Sequence, residues 1–133
     1  MKKPFKLTIA LCFVAFYFSF TIVAQTDWAV PSKYKNLRNP IINQTDFAEQ
    51  GKKLYNAHCM SCHGNMGNGN GLKATTLTTP FRSLSAAEVQ NQTDGEIYYK
   101  IVFGRNEMPN FERRIPNEEE RWLIINYIRT LKN

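Results

Sequence analysis

The stretch that decides the fold of this chain is Cys59-Met60-Ser61-Cys62-His63. It places two thiols about one helical turn apart and an imidazole directly after the second thiol. Three kinds of site use such a cluster: a zinc site, a redox-active dithiol, and a covalently attached haem whose vinyl groups take the thiols and whose iron takes the histidine. Each kind requires different partners elsewhere, so the rest of the sequence decides between them.

Zinc and a redox dithiol lack the partners that they need. A structural zinc site takes four ligands, and after residue 24 the only other histidine or cysteine is His58, which lies too close to the cluster to complete a tetrahedron. A thioredoxin-like dithiol begins a helix that follows a strand. Here a helical pattern over 46–58 precedes the cluster, and no strand alternation is evident. Covalent haem is therefore the interpretation that we favour.

A covalent haem also calls for a second axial ligand on the face opposite His63, and Met108 is our candidate. A thioether is a soft ligand for low-spin iron and, together with histidine, raises the reduction potential. A single methionine is more often a packing residue, but Met108 precedes Pro109 in a polar loop that offers no core position. Met60 and Met66 lie too close to His63 to reach the opposite face. The sequence therefore predicts His63 and Met108 as the iron ligands.

The segment 64–84 contains four glycines and shows no helical or strand period. A loop of this length without regular structure is uncommon in a compact domain, but it is reasonable if it wraps a large prosthetic group. A histidine bound to haem iron needs an acceptor for its second ring N–H. We expect the backbone carbonyl of Pro80, within this loop, to accept that hydrogen bond from His63.

The first 24 residues have the pattern of an export signal. Lys2, Lys3 and Lys6 precede an apolar run over 7–24 that ends in the small residue Ala24. The pattern predicts a signal peptide over 1–24, cleaved before residue 25, and a periplasmic or otherwise exported protein. The alternative is an uncleaved membrane anchor, for which 18 apolar residues are near the lower limit of length. We favour cleavage because the run is short and ends at an acceptable site.

An irregular leader and four short helices follow the signal segment. Residues 25–44 show no helical period, and their Trp28 and Tyr34 are available to pack on the domain, which we place at 45–133. Each predicted helix begins at a capping residue whose partner lies three positions later, and no stretch reads as a strand. The caps and partners are Asp46 with Glu49, Ser85 with Glu88 for a helix over 86–91, Thr93 with Glu96 for a helix that ends at Gly104, and Asn117 with Glu120.

Four separated motifs arrive in one order that is typical of a known family. They are GKKLYNAHCMSCHG at 51–64, GNGNG at 67–71, TDGEIYYKIVFGRNEMPNF at 93–111 and ERWLIINYIRTL at 120–131. Over residues 46–132 the chain resembles the small monohaem class I cytochromes c. Residues 25–44 fall outside the family pattern.

The resemblance implies an all-α cytochrome c fold, in which about four short helices wrap around one covalently bound haem c. It also implies that the N-terminal and C-terminal helices of the domain cross, which explains the glycine at position 51 inside the first of them. Cys59 and Cys62 would hold the haem covalently. Tyr98 and Phe111 would line the haem pocket together with Pro80.

The resemblance further implies an electron-transfer haem protein that shuttles single electrons between redox protein partners outside the cytoplasm. Such a protein is a carrier and not an enzyme, and it has no small-molecule substrate. Two alternatives stay open: a haem subunit fixed in a larger respiratory or dehydrogenase complex, with 25–44 as the docking arm, and a ligand-binding or peroxidatic haem protein, which needs an open iron site.

Charge bears on the choice of partner. Removal of the signal segment lowers the formal charge from +6 to +3, since three lysines leave with it. The remaining basic residues are scattered and no recognisable module accompanies them, so nucleic-acid binding is not expected. Basic residues near the haem would steer acidic protein partners. Those expected there are Lys73, Arg82, Arg105, Arg113 and Arg114.

Overall fold

The computed structural model of the chain describes residues 28–42 and 47–132. The predicted signal segment and the predicted cap at Asp46 lie outside these residues. Within them the regular elements are all helical, apart from one isolated antiparallel bridge between Arg105 and Met108. The predicted all-α fold class is confirmed for these residues. The elements are α1 Ser32–Lys35, α2 Phe47–His58, α3 Met60–His63, a 3-10 helix Leu72–Thr76, α4 Ala87–Gln90, α5 Asp94–Phe103 and α6 Glu118–Thr130.

Helices α2 and α6 pack against each other at the centre of the molecule. A Cβ atom on Gly51 would lie 2.3 Å from the backbone oxygen of Leu123, so only glycine allows this close approach. One turn later the ring of Tyr55 lies 5.0 Å from that of Tyr127, and its hydroxyl donates to the Gly64 carbonyl at 2.7 Å. The predicted crossing of the two helices is thus present. It fixes the position of α2 on α6, and with it the position of the cysteine cluster that follows α2.

The core is built around α6. Its Trp122, Ile124 and Ile125 are almost completely buried, as are Tyr55 from α2 and Ile115 from the preceding loop. Burial of such side chains is the main stabilising contribution in a domain of this size. The described part of the chain contains no helix with the length and apolar character needed to cross a membrane.

Two of the predicted helix starts differ from the sequence expectation. Thr93 and Glu96 form the predicted capping box of α5, with reciprocal hydrogen bonds of 3.2 and 2.8 Å. Asn117 caps α6, but its side chain accepts from the N–H of Glu119, and no reciprocal bond from Glu120 is present. Helix α4 is present within the predicted range 86–91, but its predicted cap is not formed.

Helix α4 begins after Ala86, which makes no side-chain cap. Ser85 was predicted as the cap, but its hydroxyl lies 2.8 Å from the hydroxyl of Ser83, and its N–H donates to the same hydroxyl at 3.3 Å. This local contact competes with helix capping for the serine side chain. The segment 64–84 also differs from the expectation of an unstructured loop, since it contains the 3-10 helix Leu72–Thr76.

The leader packs on the domain through 28–42. It contains the single helical turn α1, and its Tyr34 ring lies 4.9 Å from that of Tyr99 and 5.5 Å from that of Phe103 on α5. Asn39 is buried and donates to Asp94 at 3.2 Å and to Asn126 at 2.7 Å, which joins α5 and α6. The leader is therefore less irregular than its sequence indicated.

Candidate functional site

A cavity of about 620 Å³ lies between the cysteine cluster and the loop that follows α5. Its volume is within the range of cofactor sites in proteins. Its walls come from the end of α2, α3, the segment 76–84, one face of α5 and the loop 105–115. Elements from both halves of the sequence therefore enclose one space.

The cluster occupies one wall of this cavity. Cys59, Cys62 and His63 all line it, and both thiols are free and half-buried. Helical hydrogen bonds set their positions: the N–H of Cys59 donates to the Tyr55 carbonyl at 2.7 Å, and the N–H of His63 donates to the Cys59 carbonyl at 2.9 Å. The turn of helix over Met60–His63 thus presents both sulfur atoms and the imidazole to the same space.

The protonation of Cys59 argues against a redox dithiol. Burial, with a smaller contribution from the neighbouring Cys62, raises the pKa of its thiol to about 12. A catalytic dithiol depends on a thiol whose pKa is lowered, because the thiolate is the attacking species. Cys59 is instead a protonated thiol beside an apolar space.

The protonation state and the burial of His63 are those expected of a metal ligand. Burial lowers the pKa of its imidazole from 6.5 to about 4, so the ring is neutral at physiological pH. Its Nδ1 atom is buried and has no hydrogen-bond partner, and the ring packs edge-on against Phe81 at 5.4 Å. A buried nitrogen without a partner is uncommon in a folded protein. A neutral imidazole has a lone pair available to a metal, which fits the predicted role of His63.

The hydrogen bond expected between His63 and the Pro80 carbonyl is not formed, because Nδ1 of His63 has no partner. Pro80 itself lines the cavity, as predicted. The segment before it is held from the other side, since the N–H groups of Thr78 and Thr79 donate to the carboxylate of Glu107. Those contacts fix the loop from the side of Glu107.

Met108 lies on the wall formed by the loop after α5. It lines the cavity, is half-buried and packs against the edge of the core. Its backbone is fixed by a tight turn, in which Arg105 and Met108 exchange N–H to carbonyl hydrogen bonds of 3.0 and 2.9 Å, and in which Asn106 has a positive φ of 54°. The thioether is therefore presented by a defined backbone and borders the same space as His63.

Phe111 lines the cavity as predicted, whereas Tyr98 does not. The Tyr98 ring stacks on Trp122 at 4.2 Å, and its hydroxyl accepts from the Arg121 guanidinium at 3.0 and 3.2 Å. The cavity is lined by Ile97 and Ile101, which share one face of α5. Tyr98 is about 100° further round the helix and faces α6. The assignment of Tyr98 to the pocket is therefore corrected.

The residues that line the cavity include several outside the predicted site, among them Trp28, His58 and Glu107. Trp28 reaches the cavity from the leader, and its ring centroid lies 4.7 Å from the Arg105 guanidinium. His58 lines the cavity and lies edge-on to Phe111 at 6.3 Å. Glu107, next to Met108, lines it as well. His58 and Glu107 are sequence neighbours of Cys59 and Met108, whereas Trp28 reaches the cavity only through contacts between distant parts of the chain.

The border of the cavity is mainly positive. Cationic side chains outnumber carboxylates among the residues that line it, and this balance favours anionic groups nearby. Four of the five predicted basic residues belong to this set, whereas Arg113 does not. The charged lining residues are Lys73, Arg82, Lys100, Arg105 and Arg114, with Glu88 and Glu107.

Comparison with known proteins supports a haem site. Residues 46–128 match the family model described as "Cytochrome C oxidase, cbb3-type, subunit III". A solved structure named KustC0563 c-type cytochrome is similar to this chain, with 33% sequence identity and a TM-score of 0.53 over 62% of this chain and 98% of that one. No curated protein matches the chain.

The cavity fits the cofactor of such proteins, since it combines two free thiols, a neutral imidazole and a thioether around one space. The family model spans more than half of the chain. The chain therefore belongs to this family of c-type cytochrome domains, and it is a haem electron-transfer protein with covalently bound haem c.

Proposed function

We propose that this chain is a one-haem electron carrier in which Cys59 and Cys62 form the thioether bonds to haem c, and His63 and Met108 bind its iron. The observation that carries the proposal is that the cluster and Met108, from distant parts of the sequence, line one cavity. When bound, the haem supplies an iron that alternates between the ferrous and ferric states.

The protein residues set the properties of that iron. A neutral His63 and a soft thioether from Met108 favour the ferrous state. Apolar side chains of Ile97, Ile101 and Phe111 line the cavity, and a low local dielectric also disfavours the additional charge of ferric iron. With two protein ligands in place, no position is left for a substrate, which supports a carrier in preference to an enzyme.

The proposed partners are redox proteins with acidic surfaces. The positive border of the cavity, which includes Lys73, Arg82 and Arg114, would accelerate their approach by electrostatic steering. The basic and apolar pattern of 1–24 supports export, and a periplasmic location is part of this proposal.

A second candidate function is a haem subunit fixed in a respiratory complex. It is favoured by the family description, which names an oxidase subunit, and by the leader, whose Leu37 and Ile42 are exposed apolar side chains. Co-purification with a membrane complex from native membranes would favour the subunit, and recovery of the haem protein by itself would favour the free carrier.

The ligand assignment is tested by replacing Met108 with alanine in protein produced with haem-ligation machinery. Met108→Ala is expected to keep covalent haem but to give a high-spin or water-ligated spectrum and a lower midpoint potential. Met66→Ala is the matched control, since Met66 is exposed and lies outside the cavity. An unchanged absorption spectrum in Met108→Ala would overturn the assignment.

A further inference from the structure

The Glu107 carboxylate joins two segments that lie far apart in the sequence. It accepts from the N–H of Thr79 at 2.6 Å and from the N–H of Thr78 at 3.1 Å to each oxygen. In addition, the Thr78 hydroxyl donates to one of these oxygens at 3.4 Å. A glutamate side chain is ionised at neutral pH, so the acceptor in these contacts is a carboxylate. Hydrogen bonds to an ionised acceptor are stronger than those between neutral groups.

The two joined segments form different walls of the cavity. Thr78 and Thr79 are followed directly by Pro80 and Phe81, and Phe81 packs edge-on against His63. Glu107 is followed directly by Met108. The carboxylate therefore links the wall that supports the histidine with the wall that carries the methionine.

The turn over 105–108 transmits the position of this carboxylate to Met108. Arg105 and Met108 are held by two backbone hydrogen bonds at the base of the turn, and Glu107 lies between them. A displacement of Glu107 therefore displaces the backbone of Met108. Conversely, a fixed Glu107 restricts the range of positions open to the thioether.

We propose that Glu107 is a positioning residue that keeps Met108 on the haem iron by clamping the Met108 turn to the Thr78–Thr79 segment. This inference rests on the proposed function, in which Met108 is an axial ligand. Without the clamp the two walls separate more easily, and an external ligand displaces the thioether more readily. The clamp acts on the competition at the iron and not on haem attachment.

Imidazole titration of the ferric, haem-loaded protein measures this competition through the absorption spectrum. We expect Glu107→Ala to raise the apparent imidazole affinity about threefold, because the Glu107 carboxylate is exposed and solvent weakens its hydrogen bonds. The imidazole affinity of Glu107→Gln should lie between those of the wild type and Glu107→Ala, since the amide oxygen still accepts hydrogen bonds. Glu112→Ala is the matched control, because Glu112 is an exposed carboxylate on the same segment. An affinity in Glu107→Ala equal to that in Glu112→Ala would overturn the proposal.

A double-mutant comparison shows whether the effect acts through Met108. In a Met108→Ala background there is no thioether to displace, so Glu107→Ala should cause no further rise in imidazole affinity. An equal rise in both backgrounds would mean that Glu107 controls access to the cavity, and it would refute the positioning role. If Met108→Ala by itself leaves the affinity at the wild-type value, the ligand assignment fails first and the positioning role fails with it.

Amide hydrogen exchange gives a readout that does not depend on added ligand. Exchange of the Thr78 and Thr79 N–H groups should be faster in Glu107→Ala and intermediate in Glu107→Gln, with the helical amides of α6 unchanged. Exchange that stays at the wild-type rate in both variants would contradict the clamp. Because Glu107 is exposed at the tip of a turn, these variants are expected to fold.

Discussion

Substitution of Gly51 by alanine tests the helix crossing that places the haem-binding cluster. The added Cβ would lie 2.3 Å from the Leu123 carbonyl oxygen and 3.1 Å from Cβ of Tyr127, whereas ordinary contacts begin at 3.4 Å. The obstruction is backbone, which cannot rotate away as a flexible side chain can. Helices α2 and α6 must therefore move apart by about 1 Å at this point, in a core packed at crystal-like density.

The expected cost of Gly51→Ala follows from two opposing contributions. Overpacking of a close-packed core costs about 1–3 kcal/mol, and replacing glycine by alanine inside a helix returns about 1 kcal/mol. The steric contribution is expected at the upper end of its range, because Ile124 and Tyr127 lose contact when the helices separate. We therefore expect the free energy of unfolding to fall by about 1–2 kcal/mol. For a domain of this size, each kcal/mol lowers Tm by roughly 4–8 °C.

Thermal unfolding of the haem-loaded protein, followed by far-UV circular dichroism, measures this effect. Gln50→Ala is the matched control, since Gln50 is exposed on the same helix and its replacement should change stability by less than about 0.5 kcal/mol. A Gly51→Ala variant as stable as the wild type, or more stable, would refute the close crossing as the reason for glycine at this position.

Three further outcomes are expected. Replacing Cys59 and Cys62 together by serine should abolish covalent haem, and haem that still resists acid-acetone extraction from that variant would contradict the attachment site. Asn39→Ala should lower the free energy of unfolding by about 1 kcal/mol in chemical denaturation, because the buried Asn39 amide no longer joins Asp94 on α5 to Asn126 on α6; no loss would mean that these hydrogen bonds add nothing to stability. Tyr98→Phe should destabilise the protein, since Arg121 loses an acceptor, while the haem spectrum stays unchanged; an altered spectrum would return Tyr98 to the pocket.

The helical architecture could be predicted because its signals are local. The capping box of Thr93 and Glu96 and the apolar spacing of α6 depend on residues within one or two turns. The cluster Cys59 to His63 is likewise contiguous, so its placement at one cavity wall needed only the helix that carries it. These features are encoded over short stretches of sequence.

The sequence patterns do not predict which neighbouring element each buried side chain of a helix contacts. Ile97, Tyr98 and Ile101 are all buried on α5, and periodicity identifies them as apolar without saying which neighbour each one meets. The stacking of Tyr98 on Trp122 and its hydrogen bonds to Arg121 decide the outcome. The family resemblance does not specify these contacts, so it placed Tyr98 in the pocket incorrectly.

Long-range contacts were also beyond reach of the sequence patterns. The leader contributes Trp28 to the cavity and Asn39 to the junction of α5 and α6. Glu107 contacts Thr78 and Thr79 across 28 or 29 positions. Each of these contacts depends on the finished tertiary fold, and polar residues in loops carry no periodic signal.

Exposure of the ferrous wild-type protein to carbon monoxide distinguishes an electron carrier from a haem protein with an open iron site. If His63 and Met108 occupy both axial positions, the absorption spectrum of the ferrous protein at neutral pH should be the same before and after the gas is added. An immediate shift of the Soret band to that of a carbon monoxide complex, with Met108 intact, would contradict the carrier function.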